Sequence, residues 1–281
     1  MKLKEKVVLI TDGLSAAGVA IAERFKAEGA ILALNVYRSD NKGFDTPHPV
    51  NLAETKGEPD MLTFANPVSK KEVDDAVSSV LARYGRIDVV IHNNNEVVKA
   101  NLEDCDDETY DRALDINAKS AFLFVKAAGA PMKQARKGSF VFISSIHDEK
   151  PNGAAFAYSI AKGAVKMLAK EMVLDLGPFN IRTNIVSMGP MEGSDKLFSS
   201  DLSPLYEHTK ERIPNESCCT PEEAANAALF FAGDDCPSAN GSELRLDGGF
   251  LLSYYTRANR SFSPQENFPD GAGKKRETET T

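Results

Sequence analysis

The sequence predicts a doubly wound α/β fold: one seven-stranded parallel sheet with helices on both faces. Short β-branched and apolar runs alternate with longer stretches of helical periodicity, as stacked βαβ units require. The helical stretches begin and end at Gly, Pro or polar residues, and a complete set of strands fits within residues 1–250 of the 281.

In chain order, the strand Val7–Thr11 runs through a small-residue turn into a helix over Ser15–Glu28, stopped before Gly29. A second strand, Ile31–Val36, is followed by a stretch that breaks the alternation. Arg38–Pro59 carries Gly43, Pro47, Pro49, Gly57 and Pro59 among polar residues and predicts a long loop. Met61–Ala65 is the third strand, Lys70–Tyr84 a helix ending at Gly85, and Ile87–His92 the fourth strand. Helical periodicity then fills Asp107–Gln134, ahead of strand Ser139–Ser144, helix Phe156–Leu176 and the stop at Gly177-Pro178. Strand Ile181–Ser187 leads into an excursion over Gly189–Ile213, interrupted by Pro190, Gly193 and Pro204, of the kind that covers ligands. Helix Pro221–Ala232 and strand Glu243–Leu246 complete the set. Residues 1–250 are expected to form one domain and 251–281 a polar, partly disordered extension.

Composition excludes several function classes. The net charge of −8 and pI near 5.2 argue against nucleic-acid and anionic-membrane binding, because both partners call for a basic surface. No apolar run reaches the ~18 residues of a membrane span, and Met1–Lys6 enter the first strand without a signal core, which predicts a cytoplasmic protein. Cys105, Cys218, Cys219 and Cys236 contain no CxxC and read as reduced thiols. His48, His92, His147 and His208 show no metal-ligand spacing, so no metal is expected.

The first turn, Thr11-Asp12-Gly13-Leu14-Ser15-Ala16-Ala17-Gly18, joins a strand to a helix with small residues. Backbone N–H groups in such a place can approach a pyrophosphate, as in Rossmann-type domains. Further motifs follow in order: the Asn cluster after Asp88, Asn117 within Asp115-Ile116-Asn117-Ala118-Lys119, Ser144-Ser145, Tyr158-Ser159-Ile160-Ala161-Lys162, Ile181-Arg182-Thr183-Asn184 with Gly189-Pro190, and Asp247-Gly248-Gly249. On these residues the chain resembles the short-chain dehydrogenase/reductase family from Lys6 to Gly249.

That resemblance implies NAD(P)-dependent hydride transfer between the cofactor and a small secondary alcohol or its ketone. Tyr158 would exchange a proton with the substrate oxygen, Ser145 hold that oxygen, Lys162 tune Tyr158 and contact the nicotinamide ribose, and Asn117 anchor a water relay. Tyr158 and Lys162 lie four apart on one helical face. An ammonium beside a phenol favours phenolate and draws its pKa down from ~10 towards the working range of an acid/base group. The Tyr-x-x-x-Lys spacing resembles the carbonyl/alcohol branch of the superfamily rather than its enoyl reductases.

The chain departs from the family at the cofactor end. Asp12 and Ala16 replace the first two glycines of the turn and Gly18 keeps its place, while Gly13 stands ready to take over the special backbone angles. His92-Asn93-Asn94-Asn95 replaces Asn-Asn-Ala-Gly, which reads either as a turn exploiting the left-handed tolerance of Asn or as an altered ribose contact. Asn66 stands where an Asp usually faces adenine. No acid ends the second strand; instead Arg38, with Ser39 or Ser15, offers a contact to the 2′-phosphate of NADP, against which stands the reading of a solvated loop arginine. The expected cofactor-binding residues are Asp12, Gly13, Ser15, Gly18, Arg38, Asn66, Asn93, Lys162 and Gly189, with preference for NADP over NAD. Met188-Gly189-Pro190 departs from the family's Pro-Gly, and Gly193 sits where a Thr often touches the nicotinamide amide.

Ser145, His147 and Tyr158 are the expected substrate contacts, His147 being equally readable as an exposed loop histidine. A sugar, polyol or oxo-acyl compound suits the site, and a free small molecule suits the net acidity better than an acidic carrier protein. The resemblance also implies a homotetramer or dimer built through Asp107–Gln134 and Phe156–Leu176. A competing reading keeps the fold as a scaffold or binding protein whose nucleotide turn has decayed, since Asp12, Ala16, Asn66, Asn94 and Asn95 all depart at one ligand.

Overall fold

The computed structural model describes residues 1–37, 59–151, 153–191 and 212–253. Residues 38–58, 192–211 and 254–281, on which most of the expected loop Arg38–Pro59, of the expected excursion Gly189–Ile213 and of the expected extension fall, therefore lie outside the described residues, and with them Arg38, Ser39 and Gly193.

The strands are β1 Val7–Ile10, β2 Ile31–Asn35, β3 Met61–Thr63, β4 Val89–His92, β5 Gly138–Ser145, β6 Ile181–Met188 and β7 Glu243–Leu246. They form one seven-stranded sheet in the order β3-β2-β1-β4-β5-β6-β7, every pair parallel. β1 and β4 are buried along their whole length, which is why they read as unbroken apolar runs rather than as an alternation. β1 pairs with β2 on one side and β4 on the other, so the strand order reverses there and a crevice opens at their carboxyl ends.

The helices are bounded by local chemistry. α1 (Ala16–Ala27) starts at Ser15, whose side chain accepts from Gly18 N, and α2 (Lys70–Tyr84) runs from a Ser69 cap to left-handed Gly85. α3 (Asp107–Leu114) is capped by Asp106. α4 spans Ser120–Ala135, α5 Phe156–Leu176, and α6 Pro221–Ala232 opens on a Thr220–Glu223 capping box. One face of the sheet packs Ile21 and Phe25 of α1 with Ala224 and Ala228 of α6. The other packs Phe140 and Phe142 against Phe124 and Met132 of α4 and Val165 of α5. No helix among the described residues is long and apolar enough to cross a membrane.

Two expectations are corrected. The single helix over Asp107–Gln134 is interrupted by a π turn at Asp115–Lys119, a bulge that turns Asn117 inward at 0% exposure. The fourth strand starts at Val89 rather than Ile87; just before it, the Asp88 carboxylate accepts Val7 N at 2.9 Å and pairs with Arg86, while the Asp88 backbone bonds Val7 O and Ser139 N.

Candidate active site

The first turn is braced from β4. Thr11 Oγ1 accepts from Asn93 N at 2.9 Å, and Asn93 Nδ2 donates to Ser15 Oγ at 2.8 Å and to Asp12 O at 3.2 Å. Ser15 donates in turn to Asp12 O at 2.9 Å. The left-handed residue of the turn is Asp12 itself, at φ 47°, and not Gly13; Asp tolerates that region because its short polar side chain can bond locally. Gly13 is required for a different reason, since a Cβ there would lie 2.8 Å from Leu34 Cβ. At Gly18 a Cβ would meet Asp12 O at 2.4 Å, so the helix start is pressed against the turn. Asn93, Asn94 and Asn95 have no positive φ, so the left-handed reading of that cluster does not hold. Asn66 accepts from Val68 N at 3.1 Å and shapes the turn before α2. Gly189 presses on the residue that follows β7, where a Cβ would lie 2.7 Å from Asp247 Cα.

At the chemical end, the first turns of α5 bury Tyr158 and Lys162, with Lys162 Nζ 5.4 Å from the phenol ring centroid. Lys162 Nζ donates to the Asn94 carbonyl at 3.2 Å. Burial draws the ammonium down to about 7, opposed by the carboxylates of Asp148 and Asp12. Tyr158 donates its hydroxyl hydrogen to Asn95 Oδ1 at 2.7 Å, and the His147 ring stands edge-on to the phenol with centroids 5.9 Å apart. Ser145 closes β5, its Oγ accepting from His147 N at 3.3 Å. Asn117 pins the segment after β4: Nδ2 donates to Glu96 O at 2.9 Å and Oδ1 accepts from Glu96 N at 3.2 Å.

The structure therefore gathers Tyr158, Lys162 and His147 directly, and it joins Asp12, Ser15 and Asn93 into a second cluster. Burial pushes the Asp12 carboxyl up to about 6 against a hydrogen bond from Ser15 and the attraction of Lys162, with Glu96 adding repulsion. His92 is driven down to about 3, chiefly by burial and then by Lys162, and its neutral ring shares a 2.9 Å hydrogen bond with Ser120. Three features were not foreseen. Asn95 holds the Tyr158 hydroxyl, Arg112 pairs with Glu96, and the buried Asp148 carboxylate receives Ser144, Ser187 and Lys166. A pairing across 63 residues, as between Asn95 and Tyr158, leaves no local pattern to read.

Comparison with known proteins decides the family. A family model described as "Enoyl-(Acyl carrier protein) reductase" matches residues 14–251. The chain belongs to the short-chain dehydrogenase/reductase family. It is accordingly a nicotinamide-dependent oxidoreductase. Cyclopentanol dehydrogenase of Comamonas testosteroni is 30% identical over 253 residues, covering 90% of this chain and 99% of the relative. Glucose 1-dehydrogenase 2 of Bacillus subtilis is 29% identical over 89% of this chain and 96% of its own. Among solved structures, levodione reductase superposes with a TM-score of 0.79 at 25% identity, covering 90% of this chain and all of that one (100%).

The residues present fit a nicotinamide dinucleotide at the chemical end. The buried ammonium of Lys162, the Tyr158 phenol and the Ser145 hydroxyl are donors of the kind a ribose and a carbonyl oxygen accept from, and Asn94 Oδ1 is buried with no hydrogen-bond partner among the described residues. At the first turn, an ionised Asp12 carboxylate would oppose an anionic pyrophosphate.

Proposed function

We propose that the chain interconverts a small secondary alcohol and its ketone, with Tyr158 as proton donor and acceptor. The observation that carries this is the buried Tyr158–Lys162 pair at 5.4 Å, beside the end of β5. Bound dinucleotide supplies or takes up the hydride. Tyr158 passes its phenolic proton to the carbonyl oxygen in reduction and recovers it in oxidation; Ser145 orients that oxygen, and Lys162 steadies the phenolate left behind. Asn117, by fixing Glu96, holds the Asn94 carbonyl that Lys162 contacts, and its part in a water relay belongs to the same proposal. The relatives named for cyclopentanol and glucose support a free alcohol, sugar or polyol as substrate. The four-residue step from Tyr158 to Lys162 supports carbonyl chemistry over the enoyl reduction in the matched family's description.

Ser15, Gly18, Asn93, Asn66, Gly189 and Lys162 would line the cofactor, with Arg38 taking the 2′-phosphate of NADP. A cytoplasmic homo-oligomer belongs to the same proposal. Titration with NADPH and NADH, read by nicotinamide fluorescence and melting temperature, is expected to show NADPH the tighter, with Arg38→Ala weakening NADPH more than NADH. Absence of binding by both would turn the assignment towards a scaffold, a reading the Asp12 charge favours. Tyr158→Phe should lower kcat by at least ~100-fold with cofactor affinity kept, and an active variant would refute the proton role.

A further inference from the structure

Asn95 touches the reacting oxygen itself, at a position the family's usual motif fills with glycine. Its Oδ1 accepts the Tyr158 hydroxyl at 2.7 Å, and its backbone is clamped on both sides. The preceding carbonyl, Asn94 O, receives Lys162 Nζ at 3.2 Å. The following residue, Glu96, is held through its N–H and C=O by Asn117 and through its carboxylate by Arg112. Residue 95 itself lies at the exposed rim of this clamp, where its amide has room to turn.

A phenol that donates to an acceptor is stabilised in its protonated form, because phenolate would face the acceptor's lone pairs. Lys162, on the same helix, works in the opposite sense. His147, from the turn after β5, faces the ring edge-on, and its burial favours the neutral imidazole. From α3, Arg112 compensates Glu96. Asp12 and Asp148 act on Tyr158 through their attraction for Lys162.

We propose that Asn95 is a positioning residue that keeps Tyr158 as a phenol and aims its hydrogen, and that a substrate carbonyl takes over this hydrogen bond by displacing the Asn95 amide. The inference rests on Tyr158 being the proton donor. In reduction the Tyr158 O–H bond breaks, its proton goes to the carbonyl oxygen as hydride adds to the carbon, and the electron pair remains as phenolate. The overall equilibrium is untouched. What changes is the pH at which each direction runs: reduction persists to higher pH, and oxidation, which needs phenolate, starts later.

The test uses the cofactor-free protein with tyrosines labelled at 13Cζ, the Tyr158 resonance being assigned by its loss in Tyr158→Phe. Removing a neutral hydrogen bond in Asn95→Gly or Asn95→Ala is expected to lower the Tyr158 titration midpoint by about 0.5–1 pH unit. Asn95→Asp is expected to raise it. A midpoint that stays or rises in both Asn95→Gly and Asn95→Ala overturns the proposal. Turnover surviving in Tyr158→Phe would instead overturn the proton-donor reading, so the two failures are distinguishable.

Discussion

Asp12 sets a carboxyl in the first turn, where the proposed dinucleotide would bring negative charge of its own. Burial raises its carboxyl to about 6 from 3.8, so the folded protein holds this proton more tightly than the unfolded chain. Stability therefore falls as pH rises from about 4 to about 6, and the whole penalty, ~3 kcal/mol at most, stands above that window. Asn is the same size and accepts the left-handed backbone. Asp12→Asn should melt higher than the parent at pH 8 and converge with it below about pH 4, and should bind NADPH on the order of tenfold more tightly at pH 8. Equal melting curves at both pH values would contradict the assignment. His92 runs the other way. Its folded value near 3 lies below the ordinary 6.5, so the unfolded chain takes the proton first and stability is lost as pH falls through 6.5 towards 3. His92→Gln should flatten that acid limb in melting temperature measured from pH 7 to pH 4; an unchanged slope would show that His92 does not govern it.

Between the elements, close approach decides what is tolerated. Gly18→Ala would press a methyl into the Asp12 carbonyl at 2.4 Å and should cost about 1–3 kcal/mol, read by chemical denaturation; a neutral result would mean that the turn yields freely. The ends of α2, α5 and α6 were legible because Gly and Pro boundaries are written in the chain: Gly85, Gly177-Pro178, and Pro221 at the start of α6. The π turn was not, since an extra residue within continuous helical periodicity changes no composition and the burial of Asn117 is decided by Glu96, 21 residues away. The left-handed angle was assigned to Gly13 by intrinsic preference alone, whereas contact with Leu34 gives that glycine its role. The Tyr158–Lys162 pair was readable because helical geometry fixes a four-residue step; the Asn95 contact depends on where β4 lies beside α5.

As a whole, the molecule leaves apolar side chains uncovered along one face of α5, at Phe156, Ile160, Met167 and Leu174, and Phe122 of α4 is exposed as well. Met167 at 57% and Leu174 at 73% exposure lie seven apart, hence on one stripe. Sedimentation velocity should show a species heavier than the 30.5 kDa chain, and Met167→Asp with Leu174→Asp should return it to that mass; a monomeric parent would remove the homo-oligomer from the assignment. The strand order carries a further consequence. Val8 pairs with Val89 at the middle of the sheet, so the centre cannot close until β4 has left the ribosome. At roughly 5–20 residues per second of synthesis, β1 and β2 wait for several seconds with an apolar edge unpartnered. The nascent chain is then most in need of a chaperone, and a mutation in β4 would show first as lost soluble yield during expression.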